Sequence, residues 1–117
     1  MILPHLFHWS PRERREAIRV EGLRPYSPPS LTSEDAYAEW AHGFGCICLA
    51  PSPSGAWALS GDMQHVSEIE EWDLWQVALA ESDEIRVRAE FGPTVREVRV
   101  FNPIAADRLW WVATRGN

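Results

Sequence analysis

A carboxylate in the middle of a β-strand is the first residue of this sequence that asks for a chemical explanation. Glu97 lies in Thr94-Val95-Arg96-Glu97-Val98-Arg99-Val100. The two-residue period of a strand puts Val95, Glu97, Arg99 and Phe101 on one face and Arg96, Val98 and Val100 on the other. Two accounts fit. Either the strand is an edge with a solvated face, where Glu97 pairs with Arg99 or Arg88, or the carboxylate lines a cleft between two sheets, where it binds a sugar hydroxyl or stabilises a developing cation. Near the N-terminus, His8 and Ser10 are two apart and share a face while the strand persists, with Trp9 on the other. A packed histidine and a helix-capping serine explain this pair without a ligand. A ligand over the helix N-terminus, where free amides favour anionic or carbonyl groups, is compatible with the same cap.

Other chemistries lack their residues. There is no Gly-x-Ser-x-Gly elbow, phosphate-binding Walker loop, His-Glu-x-x-His or dinucleotide Gly-x-Gly-x-x-Gly; Gly43 and Gly45 lack the flanking strand and the third glycine. Cys46 and Cys48, the only cysteines, share a face of a strand roughly 7 Å apart at Cα, at the limit of an unstrained bridge. With no second cysteine pair, no metal site is expected.

The elements that must position these residues can be read in order. His5 to Trp9 reads as a short strand, and Ser10-Pro11-Arg12-Glu13 as a helix start, with Ser10 as N-cap, Pro11 in the first turn and Glu13 completing a capping box. The helix runs to Glu21 and stops at Gly22, with Ala17, Ile18 and Leu23 in its apolar contact and Arg12, Arg14, Arg15 and Arg19 solvated. Residues 24–32 hold three prolines and form a loop that could cover a site. Ser33 to about Ala41 is a second short helix, Cys46 to Ala50 a strand, and Gly55 to Ser60 a third helix carrying Trp57. Trp72 to Leu79, Glu84 to Glu90, Val95 to Phe101 and Arg108 to Thr114 are four further strands, rich in β-branched and aromatic residues and separated by turns. Helices first and strands last argue for an α+β domain with a mostly antiparallel sheet, not a parallel βαβ sandwich.

With 117 residues and 45% hydrophobic content, one domain spanning residues 1–117 is expected, long enough for a single core. Pro4, His5 and His8 interrupt the opening stretch, so it does not read as a leader, and no apolar run approaches the roughly 18 to 20 residues that span a bilayer. A cytoplasmic location is the expectation. The net charge of −6 disfavours strong nucleic-acid binding, although a local basic patch would still allow it. Seven tryptophans are an unusual load; most belong to the core, and any exposed beside a cleft would offer stacking surfaces for a flat ligand.

Taken together, His8-Trp9-Ser10, a helix, Glu21-Gly22-Leu23-Arg24-Pro25 and the late Glu97-Val98-Arg99-Val100-x-x-Pro103-Ile104 resemble the ADP-ribosyltransferase superfamily. Its diphtheria-toxin-like, RNA 2′-phosphotransferase and DNA-modifying toxin branches commonly begin with a strand bearing His-x-Thr/Ser and a helix ending in Glu-Gly-Leu. The resemblance covers about half the chain. It implies split, mostly antiparallel β-sheets around a cleft with two or three short helices, holding NAD as substrate. Carried over, Glu97 would be catalytic, holding the nicotinamide ribose 2′-hydroxyl. His8 would contact an adenosine-side or nicotinamide ribose hydroxyl, Ser10 would support the same strand end, and Trp9 or Trp57 would stack on nicotinamide or adenine. The family's middle motif is matched here only by Leu49-Ala50-Pro51-Ser52, which brings in Ser52. The implied activity is ADP-ribosyl transfer to an unnamed acceptor, or NAD hydrolysis. The rival from another class is a non-catalytic nucleotide- or protein-binding module on the same fold.

Overall fold

The computed structural model describes residues 5–25, 47–59, 69–88 and 96–116; the expected helix over Ser33 to Ala41, and Cys46, lie outside these residues. Among the described residues there are six strands: β1 (His5–Pro11), β2 (Ile47–Leu49), β3 (Glu71–Ala78), β4 (Ile85–Arg88), β5 (Glu97–Val100) and β6 (Leu109–Gly116). Among the same residues two short α-helices accompany them, α1 (Arg15–Glu21) and α2 (Pro53–Leu59), with 3-10 turns at Arg12–Arg14 and Ala106–Arg108. The strands form two three-stranded sheets, ordered β1-β3-β6 and β2-β5-β4, and all pairings are antiparallel. The α+β reading therefore holds, and each strand expected from the sequence forms. Among the described residues, no helix is long and apolar enough to cross a membrane.

Among the described residues, one residue pair bridges the backbones of the two sheets, whose side chains share the core cluster. The Phe7 amide donates to the Ala50 carbonyl at 2.8 Å and the Ala50 amide to the Phe7 carbonyl at 3.0 Å, so β1 and β2 touch edge to edge at that point. A second tie joins Leu23, just after α1, to Ile104 in the connection from β5 to β6, again through two backbone bonds of 2.9 Å each. That tie explains Gly22. Its φ of 78° is a backbone conformation that favours glycine, and a Cβ there would run into the carbonyl oxygen of Ile104.

The β1–α1 junction corrects the capping expectation. β1 stays paired with β3 as far as Pro11 opposite Trp72, and Ser10 lies opposite Asp73. Ser10 is consequently a buried strand residue, and neither Pro11 nor Arg14, the residues that precede the two helical segments, makes a side-chain cap bond. Cross-strand pairing outcompeted local capping, and the α-helix begins only at Arg15.

One face of the first sheet grades from apolar to charged along three cross-strand rows. Leu6, Val77 and Leu109 form the first row, His8, Trp75 and Trp111 the second, and Ser10, Asp73 and Thr114 the third. The first row and Trp75 join Ile18, Leu23, Ile47, Leu49, Val98, Val100 and Ile104 in the core cluster. α1 contacts the graded face: Ile18 is buried in that cluster, while the Arg15 guanidinium binds both oxygens of Asp73 at 2.8 Å and lies 3.8 Å from the Trp111 ring centre. The Thr114 hydroxyl also donates to Asp73 at 2.7 Å, so this carboxylate, with 0% exposure, links α1, β3 and β6. The expectation that Arg12, Arg14, Arg15 and Arg19 are all solvated is thus corrected at Arg15, whose charge is drawn inward by a buried partner. A second ion pair fastens the other end of the sheets. Arg108 clasps Asp83 at 2.7 and 2.9 Å. Burial alone would raise the Asp83 carboxyl, but bonds from Arg108, the Ala80 amide and Asn102 hold it down to about 2.

Two outcomes follow for denaturant unfolding. Gly22→Ala should lose about 2–4 kcal/mol through the forced conformation and the clash, whereas Gly116→Ala, whose Cβ would meet nothing within 4 Å, should be close to neutral. Asp73→Asn should cost about 3 kcal/mol by leaving Arg15 without its counter-charge, and the double change Arg15→Met with Asp73→Leu should recover much of that loss.

Candidate functional site

His8 sits where the two sheets part. From the Phe7–Ala50 pair, β1 continues to His8 and Trp9 while antiparallel β2 runs back to Leu49 and Cys48. The His8 imidazole reaches across, placing Nδ1 2.9 Å from the Cys48 carbonyl oxygen. A carbonyl oxygen only accepts, so Nδ1 carries the hydrogen and Nε2 of the neutral ring presents a lone pair. Burial lowers the pKa of His8, and the charge of Arg14 adds to that, while the bond to Cys48 acts in the opposite sense. The neutral tautomer with an acceptor at Nε2 is the outcome. In the same row, the Trp75 indole is buried with its Nε1 donor unpartnered, as is that of Trp72 near the end of β1. Such a donor costs about 1–3 kcal/mol that a phenylalanine would avoid.

Glu97 opens β5, the central strand of the second sheet, and is 3% exposed. The edge-strand account of this residue is therefore corrected: β5 is flanked by β2 and β4, and the carboxylate is not solvated. Its pairing with Arg99 is present. Alternation places Ile47, Leu49, Val98 and Val100 toward the core, so Cys48, Arg99 and Glu97 share the opposite face. Pleat parity puts Phe7 and Ala50 on that face too, and sends Leu6, His8 and Ser10 to the other side of β1. His8 and Glu97 therefore point to opposite faces, and what relates them is the backbone of Cys48. Its carbonyl holds His8, and its cross-strand partner is Arg99, which binds Glu97.

The aromatic residues singled out by sequence come together on the far face of the first sheet. Trp57 of α2 packs edge-on against Trp9, with ring centres 5.3 Å apart, and against Trp72 at 5.7 Å. Trp9 donates its Nε1 to the Pro53 carbonyl at 2.9 Å. The Arg115 guanidinium lies 3.9 Å from the Trp57 ring centre, so a flat ligand would stack on that ring in place of Arg115. Ser52 caps α2: its hydroxyl accepts from the Gly55 amide at 3.0 Å, with Pro53 at the first helical position. Ser52 thus serves its own helix, while Ser10 lies buried opposite Asp73. The structure sets His8 and Glu97 on opposite faces, groups Trp9 with Trp57, and leaves Ser10 and Ser52 in local structural roles.

Sequence reasoning missed the Cys48 carbonyl, which has no side-chain signature. It also missed the Arg15–Asp73 pair, for which a signal existed: Arg15 lies three residues before Ile18 and so on the core-facing side of α1. Among the described residues, no three His, Cys, Asp or Glu side chains gather as a metal ion would require. Comparison of the chain with protein-family models, with curated proteins and with solved structures finds no match.

The protonation of His8 sets a pH dependence. The folded protein holds the ring neutral, whereas in the unfolded chain it takes up a proton near the ordinary value of 6.5. Unfolding then binds a proton, so stability falls as pH drops below 6.5 and stops falling below the lower value of the folded residue. Thermal melts from alkaline to acidic pH should show this component in the wild type and not in His8→Gln. Parallel pH profiles for the two proteins would contradict the assignment.

Proposed function

We propose that this protein is an ADP-ribosyltransferase-like domain that binds NAD at the parting of its two sheets and transfers ADP-ribose to a nucleophile, water included. The observation that carries the reading is Glu97, a buried carboxylate in a central strand. A stability requirement alone would place an apolar residue at that position.

The chemistry suits these groups. When the bond between the ribose C1′ and the nicotinamide nitrogen breaks, its electron pair leaves with nicotinamide and positive charge builds on the sugar. An ionised Glu97 accepts a hydrogen bond from the ribose 2′-hydroxyl and opposes that charge. The nucleophile then bonds to C1′ and gives up its proton. Trp9 and Trp57 offer an aromatic surface for a base, reached by displacement of Arg115.

The rival, a non-catalytic nucleotide- or protein-binding module, draws support from the exposed Trp110, Trp111 and Val112 on β6. Chromatographic measurement of NAD loss and nicotinamide release separates the two. On the catalytic reading the wild type consumes NAD and Glu97→Gln slows it by about 10²- to 10³-fold. A melting temperature raised by NAD without turnover favours the binding module. If NAD is neither consumed nor stabilising, and Glu97→Gln behaves as wild type, the catalytic reading is wrong.

A further inference from the structure

We propose that β4 is a docking edge for an extended segment of another protein in which apolar residues alternate with aspartate or glutamate, added to the second sheet as a further strand. The inference does not depend on the NAD reading and concerns a different part of the molecule, the outer strand of the second sheet.

Three observations carry it. First, the core-facing side of the second sheet runs past the core. The register sets Ile85 opposite Val100 and Val87 opposite Val98, so all four share one face. Val98 and Val100 are buried in the core cluster, whereas Ile85 is 43% and Val87 59% exposed. The apolar face therefore ends on two open side chains. Second, the backbone of the same two residues is turned outward. The Phe101 amide donates to the Glu84 carbonyl at 2.9 Å, which makes Glu84 and Phe101 a hydrogen-bonded pair. By alternation, residues 86 and 88 then bond to β5 through the backbone, and the amides and carbonyls of Ile85 and Val87 point away from it. Among the described residues, no strand pairs with β4 on that side. Third, Arg86 stands exposed on the opposite face, with its guanidinium 5.8 Å from the Phe101 ring centre. An open apolar strip, a row of outward backbone groups and a cation thus lie along one short edge.

Charge selects the occupant. Residues directly opposite in an antiparallel pair lie on one face, so two copies of β4 joined along their length would set Arg86 against itself or against Arg88, the other residue of its parity in Ile85-Arg86-Val87-Arg88. Like charges so placed are destabilising, which disfavours a second copy. A carboxylate opposite Arg86 instead completes a charge-assisted pair. Its neighbours in the added strand then fall opposite Ile85 and Val87, where apolar side chains cover them while the main chains exchange hydrogen bonds. The partner is thereby required to read apolar, acidic, apolar. β6, an outer strand of the first sheet, suits an added strand less well, because the register irregularity between Leu74 and Trp75 interrupts the ladder such a strand would follow.

The test uses the full chain and fluorescein-labelled peptides of about six residues, one alternating valine with glutamate and one alternating valine with lysine, read by fluorescence anisotropy. Wild type should bind the glutamate peptide about tenfold or more tightly than the lysine peptide, and amide hydrogen exchange at Ile85 and Val87 should slow on binding. Arg86→Glu should reverse the preference. Val87→Pro removes an outward amide that β5 does not use, and should weaken the glutamate peptide about three- to tenfold at a melting temperature near that of wild type. Should Val87→Pro fail to fold, the reversal in Arg86→Glu decides. Binding of neither peptide by wild type would overturn the proposal and leave Arg86 as a charge that keeps the edge clear. Equal affinity for both peptides, or a preference unchanged in Arg86→Glu, would place the binding elsewhere and overturn it as well. A wild-type dimer in light scattering that Val87→Pro dissociates would make the occupant a second copy and overturn the choice of partner. NAD consumption tests Glu97 separately, so either reading can fail without the other.

Discussion

Two backbone hydrogen bonds between Phe7 and Ala50 tie the two described sheets together and set where His8 meets Cys48. A strand offers its amides and carbonyls alternately to its two sides, and β1 already spends one side on β3. The other side is engaged by β2 at one residue pair, so the two sheets are joined and then diverge. At the point of divergence a side chain replaces the missing ladder: the carbonyl of Cys48 receives the imidazole of His8. Had the pairing of β1 with β2 continued, that carbonyl would belong to a backbone amide and His8 would be one more packed residue.

Arginine governs the interior electrostatics of an acidic chain. All eleven of its basic residues are arginine, and three of them, Arg15, Arg99 and Arg108, bind buried carboxylates at Asp73, Glu97 and Asp83. Lysine would pair with these carboxylates as a point charge, whereas the guanidinium satisfies both oxygens of Asp73 and of Asp83 at once. The overall charge of −6 thus describes the outside of the molecule poorly as a guide to its inside. Arg15 also places its cation against Trp111, so the same residue closes a charge pair and covers an aromatic ring that the sheet edge would otherwise leave more open.

Much of the fold was legible in the sequence because its strands carry the two-residue alternation strongly. Val98 and Val100 share one face and Glu97 and Arg99 the other, as the order of residues alone indicated, and the structure turns the first of these faces to the core. Gly22 was legible for a related reason, since a glycine after a helix marks positive φ. What the sequence could not convey was competition between local and long-range bonding. Ser10-Pro11-Arg12-Glu13 satisfies every local rule for a helix start, yet pairing of Ser10 with Asp73 and Pro11 with Trp72 on β3 holds the segment extended. Glu97 was read as one of two things, solvated edge or buried cleft residue, because alternation identifies a face without revealing whether a neighbouring strand covers it. The candidate site was legible in its side chains and not in its backbone acceptor.

That His8 binds a main-chain atom has a consequence for how such a site tolerates sequence drift. The carbonyl of residue 48 is supplied by whichever amino acid stands there, so the thiol of Cys48 contributes nothing to the grip on the imidazole. For this bond position 48 need supply only a backbone carbonyl, while position 8 is bound to its chemistry. In a set of diverged homologues the junction would be recognisable by one fixed ring opposite a variable neighbour, a pattern that a search for paired side chains passes over.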